Sequence, residues 1–532
     1  MNEIPTHAPS GNDPSLPREQ AGKRKIHLPH LPVLLALAVI LLLSYHFRTH
    51  RLLESPGWFC DEGTYLEVAR KIGRGSLQLG AVNLTFAGPN MTHPPLYFAV
   101  SNFFLNLGQP DMYHFRLMNA LIGVLATFFL FLLGYEAGRF GNSMDSPSIH
   151  AEILGLLAAL FFAIHPDAVL YNRMGMPYNL YLLEGIVMAW FALRYLRKRE
   201  FPLFLAACIT ASLALLTVYY SVVFIPFLLF ILIKTRKTRH LWALACVPIP
   251  LLIFLGFMAL GNTPGFWEDI VALRKAAGAG KLWVTLYHYH DFFQTGITYF
   301  IGLAGLLLLR RKNAAGFLFF LYFLMIHIVL RKGDTIIRFV HYPVIPILPF
   351  MALGCAAFAL WALDGLLTLS WRGLLVIPVI LACYLGIVQV RFGIHGRFAS
   401  PLEFGMTKNA SDSFETAAFI NTKTRHDDLV IASATLWSLL DARYADFPQS
   451  LAYEGIKSSF YKHDFPRQRF LYSPSRDRAA FIVMDHFTNQ WRNSSLDSPH
   501  APLVKAIKKV EEGWPLVFER GEYRVYRNPN LD

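Results

Sequence analysis

Runs of apolar residues separated by short polar turns fill the chain from residue 31 to residue 390. A helix that crosses a bilayer is apolar on every face, so each long run predicts a membrane span. Eleven spans are predicted: Leu31–Tyr45, His114–Tyr135, Ala151–Ala168, Tyr178–Leu193, Phe201–Leu216, Val222–Ile233, Leu241–Leu260, Phe292–Leu309, Ala314–Leu330, His341–Leu363 and Gly373–Val390. The pattern is typical of a polytopic α-helical membrane protein.

The longest polar interval in this part of the chain follows the first span, at about residues 46–113. Two adjacent acids, Asp61 and Glu62, stand near its middle, and a helix is predicted from Thr64 to Gly73. The apolar run Leu96–Leu107 is shorter than the ~20 residues needed to cross a bilayer, so it predicts an interfacial helix. This outer loop is therefore expected to lie along a membrane surface.

From about residue 391 the apolar runs shorten and the charged residues become more frequent. The periodicity there predicts a small α/β domain. Its predicted elements are helices at Phe414–Thr422, Leu436–Tyr444 and Leu503–Glu512, strands at Leu429–Ser433 and Ala480–Asp485, and a hairpin of Leu516–Glu519 and Tyr523–Tyr526. The predicted domains are thus residues 1–30, 31–391 and 392–532.

Composition and charge set the orientation of the chain. With 54% hydrophobic and 16% charged residues, the chain is too apolar for a soluble protein of this size. The net charge of +13 comes from short basic runs between spans, which indicates topology rather than a nucleic-acid surface. The runs Lys23–Lys25, Arg194–Arg199, Lys234–Arg239 and Arg310–Lys312 place that side in the cytoplasm. Residues 1–30 are then a disordered cytoplasmic segment, and residues 392–532 are extracytoplasmic.

The predicted outer ends of the spans carry acids and cations that suggest chemistry at the membrane surface. A carboxylate such as Asp61 or Glu62 can act there as a general base. Lys332 and Arg338 occupy a short outer turn that the positive-inside rule would deplete of cations, and a bound phosphate explains their presence. The alternatives are a solvated acidic pair, and cations that only reach for lipid headgroups.

Six motifs occur in an order that resembles the GT-C membrane glycosyltransferases. They are the Asp61-Glu62 pair, the corner that begins His93-Pro94-Pro95, the entry Arg116 to Leu121, the turn Asn172 to Leu180, the break Leu215 to Tyr220 and the entry Arg338 to Pro346. The nearest branch is that of the protein O-mannosyltransferase-like and lipid A aminoarabinose transferase-like enzymes. The resemblance covers about residues 32–390.

The resemblance implies a sugar donor on a polyprenyl phosphate and transfer with inversion at the outer membrane face. It implies that Asp61 is the catalytic base and that Glu62 supports it or contacts the acceptor. The residues expected near the donor phosphate are His93, Arg338, His341 and Lys332. Those expected to bind substrate are Arg116, Arg173, Tyr178, Tyr219 and Tyr220.

The turn before the fourth predicted span departs from the family pattern, because Gly175 to Tyr178 contains no acid. This disfavours a two-acid or metal-dependent mechanism, so no metal site is predicted and no cofactor is assigned. The expected partners are a polyprenyl-phosphate-linked sugar, membrane lipids and a glycan, lipid or protein acceptor. The expected location is the inner membrane, with the active site on the periplasmic side.

Two other functions are compatible with a polytopic chain. A transporter or flippase of a lipid-linked sugar is expected to show internal repeats and charges at mid-span. A non-catalytic scaffold would bind a partner through residues 392–532. The glycosyltransferase accounts best for acids and cations gathered at the outer ends of the spans.

Overall fold

The computed structural model describes residues 30–73, 93–139, 149–260, 296–312, 342–396, 398, 406–457, 467, 470, 472–495, 497 and 500–531. Several sequence predictions lie outside these residues: most of the N-terminal segment 1–30, the span Ala314–Leu330, and the phosphate-site residues Lys332, Arg338 and His341. The statements below concern the described residues.

The membrane part is built from helices, most of them apolar. They are α1 (Leu31–Thr49), α2 (Cys60–Gly73), α3 (Leu96–Leu107), α4 (Met112–Arg139), α5 (Ile149–Ile164), α6 (Pro166–Asn172), α7 (Pro177–Lys198), α8 (Phe201–Leu215), α9 (Phe224–Thr235), α10 (Leu241–Ala245), α11 (Ile249–Leu260), α12 (Gly296–Lys312), α13 (Leu348–Leu367) and α14 (Val376–His395). The predicted domain boundary at residues 391/392 falls in the last turn of α14.

Within the described ranges, five helical stretches are long and apolar enough to cross a membrane, or six if α5 and α6 form one bent span. The five are Leu31–Thr49, Met112–Arg139, Thr238–Leu260, Ile345–Leu367 and Trp371–His395. Four shorter apolar helices accompany them. The polytopic helical fold is confirmed, whereas the predicted count of eleven spans is not.

The predicted span Ala151–Ala168 is wrong as a continuous helix, because the chain bends by 65° between α5 and α6. The cause is Pro166, since the residue before a proline is disfavoured in the helical conformation. His165 accordingly adopts an extended conformation with φ −71° and ψ 122°. Pro166 itself fits the first turn of α6, where a missing N–H breaks no hydrogen bond.

Small residues let the membrane helices approach one another closely. A Cβ atom built on Gly305 of α12 would lie 1.7 Å from the carbonyl oxygen of Gly354 in α13. In apolar surroundings helices gain little from hydrophobic contact, so close backbone packing carries their association. Both glycines are therefore part of the contact between α12 and α13.

The C-terminal part is a five-stranded sheet in the order β2-β1-β3-β5-β4 with helices beside it. Strands β2, β1 and β3 are parallel, whereas β5 is antiparallel to both β3 and β4. The elements are α15 (Ala410–Asn421), β1 (Leu429–Ile431), α16 (Ala434–Trp437), β2 (Arg443–Ala445), α17 (Phe447–Tyr453), β3 (Ala479–Met484), α18 (His486–Arg492), α19 (Ala501–Gly513), β4 (Leu516–Arg520) and β5 (Tyr523–Arg527). The predicted α/β domain is confirmed.

The predicted helix Leu436–Tyr444 is wrong over most of its length. Helix α16 ends at Trp437, and residues 443–445 form β2 beside β1. Pairing with a buried parallel strand outweighs the weak helical pattern of this stretch. Helices α17 and α18 were not predicted, although each begins with an aspartate capping box, at Asp446 and Asp485.

Candidate active site

Helix α2 carries both acids of the predicted site, and Glu62 caps its first turn. The Glu62 Oε2 atom accepts a hydrogen bond from the backbone N–H of Phe59 at 2.9 Å. A carboxylate three residues into a helix commonly satisfies an N–H of the first turn in this way. Acids in the first turn also interact favourably with the helix dipole. The position of Glu62 is therefore explained by the local structure of α2.

The Glu62 carboxylate is paired with Arg116 of α4, and both side chains are fully buried. The Arg116 Nε and Nη2 atoms donate to the Glu62 Oε1 and Oε2 atoms at 2.9 and 2.6 Å. The Glu62 Oε1 atom also accepts the backbone N–H of Gly175 at 2.7 Å. Charge-assisted, two-pronged pairs of this kind are the strongest hydrogen-bonded contacts between side chains.

Arg116 uses its remaining N–H groups to hold the chain that leads into α2. Its Nη1 atom donates to the carbonyl oxygens of Leu52 and Pro56 at 3.0 and 2.9 Å. Its Nη2 atom also donates to the carbonyl of Gly57 at 3.0 Å. All five N–H groups of the guanidinium are thus used within the protein. The expected substrate contact of Arg116, and direct catalysis by Glu62, do not fit this geometry.

Arg173, at the end of α6, is buried in the same way. Its guanidinium donates to the carbonyl oxygens of Phe47, His50, Arg51 and Ser55. Three of these carbonyls belong to the end of α1 or the residues just after it, where helical carbonyls lack partners within the helix. Arg173 therefore fastens α1 to the outer loop, and the expected substrate contact does not fit this position either.

Asp61 lies in a different environment from Glu62, although the two are adjacent. It is partly exposed, and its Oδ1 atom lies 3.5 Å from the Cys60 sulfur. Its charge acts on the phenol groups of Tyr65, one turn further along α2, and of Tyr178 in α7. Burial, and secondarily Asp61, raise the pKa of Tyr65 well above its ordinary value. Asp61 is thus the acid of the pair that faces other side chains of the predicted site.

His93 lies next to these groups, at the corner before α3. Its Nε2 atom is 3.2 Å from the Tyr65 hydroxyl, and its ring meets that of Tyr178 edge-on at a centroid distance of 5.5 Å. Its buried Nδ1 atom has no hydrogen-bond partner among the described residues. Burial lowers the pKa of His93 to about 4. The imidazole is therefore neutral at pH 7, and the expected cationic contact with phosphate becomes at most a hydrogen bond.

The turn after α8 completes the group. Tyr219 begins this turn, and Tyr220 lies close enough to Tyr178 for their hydroxyl groups to interact electrostatically. The backbone N–H of Leu96 donates to the carbonyl oxygen of Leu216 at 2.8 Å, which ties the His93 corner to this turn. We refer to Asp61, Tyr65, His93, Tyr178 and Tyr220 as the polar cluster.

A buried amide network below the polar cluster was not predicted as functional. The Arg48 Nε atom donates to Asn172 Oδ1 at 3.0 Å, and Asn172 donates to Asn179 at 2.8 Å. Asn179 donates to Asn119 at 3.1 Å, and Asn119 to the Tyr97 hydroxyl at 3.1 Å. All three asparagines lie within motifs quoted for the family resemblance. Those motifs thus encode the packing of α1, α3, α4, α6 and α7 around the site.

The cationic residues expected near a donor phosphate, Lys332, Arg338 and His341, lie outside the described residues. In the part of the chain that the structure describes, no three His, Cys, Asp or Glu side chains come together as a metal site would require. At the polar cluster itself the described residues supply one carboxylate, one neutral imidazole and three phenols.

A family model described as dolichyl-phosphate-mannose-protein mannosyltransferase matches residues 92–259. No curated protein sequence matches the chain significantly. The crystal structure of ArnT from Cupriavidus metallidurans bound to undecaprenyl phosphate is similar, with TM-score 0.61 and 14% identity over 94% of this chain and 98% of that one. Archaeal oligosaccharyltransferase AglB from Archaeoglobus fulgidus, in complex with an inhibitory peptide and a dolichol-phosphate, is similar with TM-score 0.56 and 12% identity over 94% of this chain and 75% of that one. The chain therefore has the fold of the GT-C membrane glycosyltransferases, as the motifs indicate.

Proposed function

We propose that this chain is an inverting glycosyltransferase, which moves a sugar from a polyprenyl-phosphate donor to a hydroxyl acceptor at the outer face of the membrane. The GT-C fold supports a membrane glycosyltransferase that uses a lipid-linked donor. The observation that carries the proposal is that two adjacent acids have different surroundings. Glu62 is fully paired with Arg116, whereas Asp61 faces the polar cluster.

Asp61 is the proposed general base. It takes the proton of the acceptor hydroxyl while the acceptor oxygen bonds to the anomeric carbon of the sugar. The bond from that carbon to the phosphate oxygen breaks, and the electron pair leaves with the polyprenyl phosphate. Proton transfer by a positioned side chain contributes roughly 100- to 10,000-fold to such reactions. Tyr178 and Tyr220 provide rings and hydroxyl groups for the sugar, and Tyr219 begins the same turn.

A phosphate leaving group needs stabilisation of its negative charge rather than a proton. In the described part of the site, Arg116 and Arg173 are occupied by protein acceptors and His93 is neutral. We therefore assign the phosphate contacts to the residues named for them in the sequence, Arg338, Lys332 and His341. His93 contributes a hydrogen bond through its unpaired ring nitrogen. The proposed location is the inner membrane, with Asp61 on the periplasmic side.

The test uses purified protein supplied with labelled undecaprenyl-phosphate mannose or undecaprenyl-phosphate aminoarabinose, a hexosyl and a pentosyl donor. Asp61→Asn keeps the side-chain shape and removes its basicity. We expect this variant to bind the donor and to lose turnover by at least ~100-fold. The matched control is Glu54→Gln, an exposed acid in the same outer loop, which should keep native turnover.

Near-native turnover by Asp61→Asn would contradict the proposal and move the search for the base to Asp167 or Asp291. Donor that crosses the bilayer of a reconstituted vesicle without any transfer would instead favour a flippase.

A further inference from the structure

Helix α2 presents three faces to three different surroundings. Residues spaced by three and four positions share a helical face. Asp61 and Tyr65 point into the polar cluster, and Glu62 points toward Arg116 of the membrane part. Cys60, Gly63 and Glu67, with i, i+3 and i+7 spacing, form the third face. Gly63 lies directly against the C-terminal domain, and the other two residues interact electrostatically with side chains of that domain.

The C-terminal sheet has a topological switch point between β1 and β3. From β1 the chain passes to β2 on one side, and it then returns to β3 on the other side of β1. In open α/β sheets, the crevice outside the carboxyl ends of the strands at such a point is the usual ligand-binding position. Here Asp485 directly follows β3, and Ala434, three residues after the end of β1, begins α16.

The first turn of α2 occupies this position. A Cβ atom built on Gly63 would lie 1.8 Å from the carbonyl oxygen of Ala434. Burial, then Asp61, and last the charge of Asp485 raise the pKa of the Cys60 thiol. Ala434 therefore contacts the first turn of α2 directly, and Asp485 interacts electrostatically with the same turn.

Two further contacts hold the same face. Glu67 is buried, and its charge acts on the Tyr444 phenol of β2. Just before α2, the Trp58 backbone N–H donates to the Thr407 hydroxyl at 2.8 Å. The Thr407 backbone N–H returns a bond to the Trp58 carbonyl oxygen at 3.0 Å. The contact thus extends from residue 58 to residue 67.

We infer that the C-terminal domain is a positioning element for the catalytic helix, and that it binds the first turn of α2 where related sheets bind a ligand. This inference rests on the proposed function, because in it the domain positions the side chain of Asp61 for catalysis. Neither Ala434 nor Asp485 touches the substrate in this role. The domain acts on the reaction only through α2.

The test is Gly63→Ala in the full-length protein. In a helix free of tertiary contacts this substitution is stabilising, because alanine is the better helix former. Against the Ala434 carbonyl the added methyl group forces the two parts apart. The matched control is Gly513→Ala, at the end of α19, where a Cβ atom would meet nothing within 4 Å. Tyr444→Phe is a milder second variant that removes only the hydroxyl on which the Glu67 charge acts.

Two readouts separate docking from catalysis. The first is the rate at which a membrane-impermeant maleimide labels Cys60, with Cys60→Ser giving the background from the other cysteines. We expect labelling to be at least about tenfold faster in Gly63→Ala and unchanged in Gly513→Ala, because local opening governs access. The second is transfer, which should fall about 100-fold in Gly63→Ala, the loss expected from a small misplacement of a catalytic group.

Native labelling rates in folded Gly63→Ala and Tyr444→Phe would overturn the docking. Faster labelling with native turnover would overturn the positioning role. The labelling result holds whether or not Asp61 is the base, so failure of the proposed function is seen separately, in the Asp61→Asn variant.

Discussion

The carboxylate of Glu62 and the guanidinium of Arg116 form two hydrogen bonds, of 2.9 and 2.6 Å, in a place where neither side chain has any exposed surface. Burying two charges is costly, and their attraction compensates for that cost only when the remaining donors and acceptors are also satisfied. Here the backbone N–H groups of Phe59 and Gly175 and three carbonyl groups satisfy them. The pair consequently fixes the entry to α2, next to the residue that we propose as the base.

Glu62→Gln should therefore lower the stability of the protein more than the same substitution at an exposed acid of the outer loop. The substitution leaves the Arg116 charge buried without a counter-charge, and breaking such a pair typically costs about 3–5 kcal/mol. The expected result is a large fall in the thermal unfolding temperature of the detergent-solubilised protein. Glu54→Gln removes an exposed partner of Arg51, and should cost less than about 1 kcal/mol. Equal stability of the two variants would show that the buried pair contributes nothing.

Arg173→Lys separates a substrate-binding role from a structural one. Lysine keeps the positive charge but cannot reproduce the planar set of donors that reaches four carbonyl groups. We expect the free energy of unfolding to fall by about 2 kcal/mol or more, from lost hydrogen bonds to buried carbonyls, with the KM for donor nearly unchanged. A raised KM at native stability would restore the contact with substrate that the sequence predicts.

The burial of His93 makes stability depend on pH in the acid range. Its pKa is about 4 in the folded protein and near 6.5 in an unfolded chain, so between these values the unfolded state binds the extra proton. The contribution of His93 to the free energy of unfolding is fully present above about pH 6.5, and it is lost as the pH falls toward 4. The full loss is on the order of 3 kcal/mol.

Thermal unfolding of the native protein and of His93→Gln, measured between pH 7.5 and 4.5, tests this expectation. The variant should show a shallower loss of stability toward acid pH. His426→Gln, at an exposed imidazole in the C-terminal domain, controls for the substitution itself. Identical slopes in the native protein and His93→Gln would mean that His93 is not held neutral by burial.

Thr407→Val should weaken the contact between the outer loop and the C-terminal domain. The variant keeps the shape of the side chain but leaves the buried Trp58 N–H without its acceptor, which costs about 1–3 kcal/mol. Thr422→Val is the matched control, since that hydroxyl is exposed and bonds only to a carbonyl of its own helix. Equal unfolding temperatures for the two variants would contradict the importance of this bond.

Hydropathy and residue order were sufficient to predict the polytopic helical fold and the α/β domain, because each depends on patterns repeated over many residues. The family resemblance implied different roles for Asp61 and Glu62, but their different surroundings could not be predicted from the sequence. Neighbouring residues on a helix point about 100° apart, and the direction of each depends on partners such as Arg116 that are distant in sequence. Before the structure, Glu62 could be taken as a second catalytic acid.

The contact between α2 and the C-terminal domain was also invisible in the sequence, for a different reason. It depends on backbone groups and on the absence of a side chain at Gly63, and neither leaves a hydrophobic or charged pattern. The break at Pro166 is the reverse case. The proline is a local signal that the sequence does contain. The apolar residues on both sides of it nevertheless led to the prediction of a continuous span.

The bond between Trp58 and Thr407 also has a consequence for the order in which the protein is assembled. Thr407 follows Trp58 by 349 residues, and a ribosome needs roughly 20–70 s to add that many. During this time the membrane helices can insert, and in the proposed topology the outer loop reaches the far side of the bilayer. The outer loop then lacks the partner that holds α2 in place. In a nascent or truncated chain, α2 therefore lacks this contact, and the proposed site is completed only when residues 406–457 have also been made and folded.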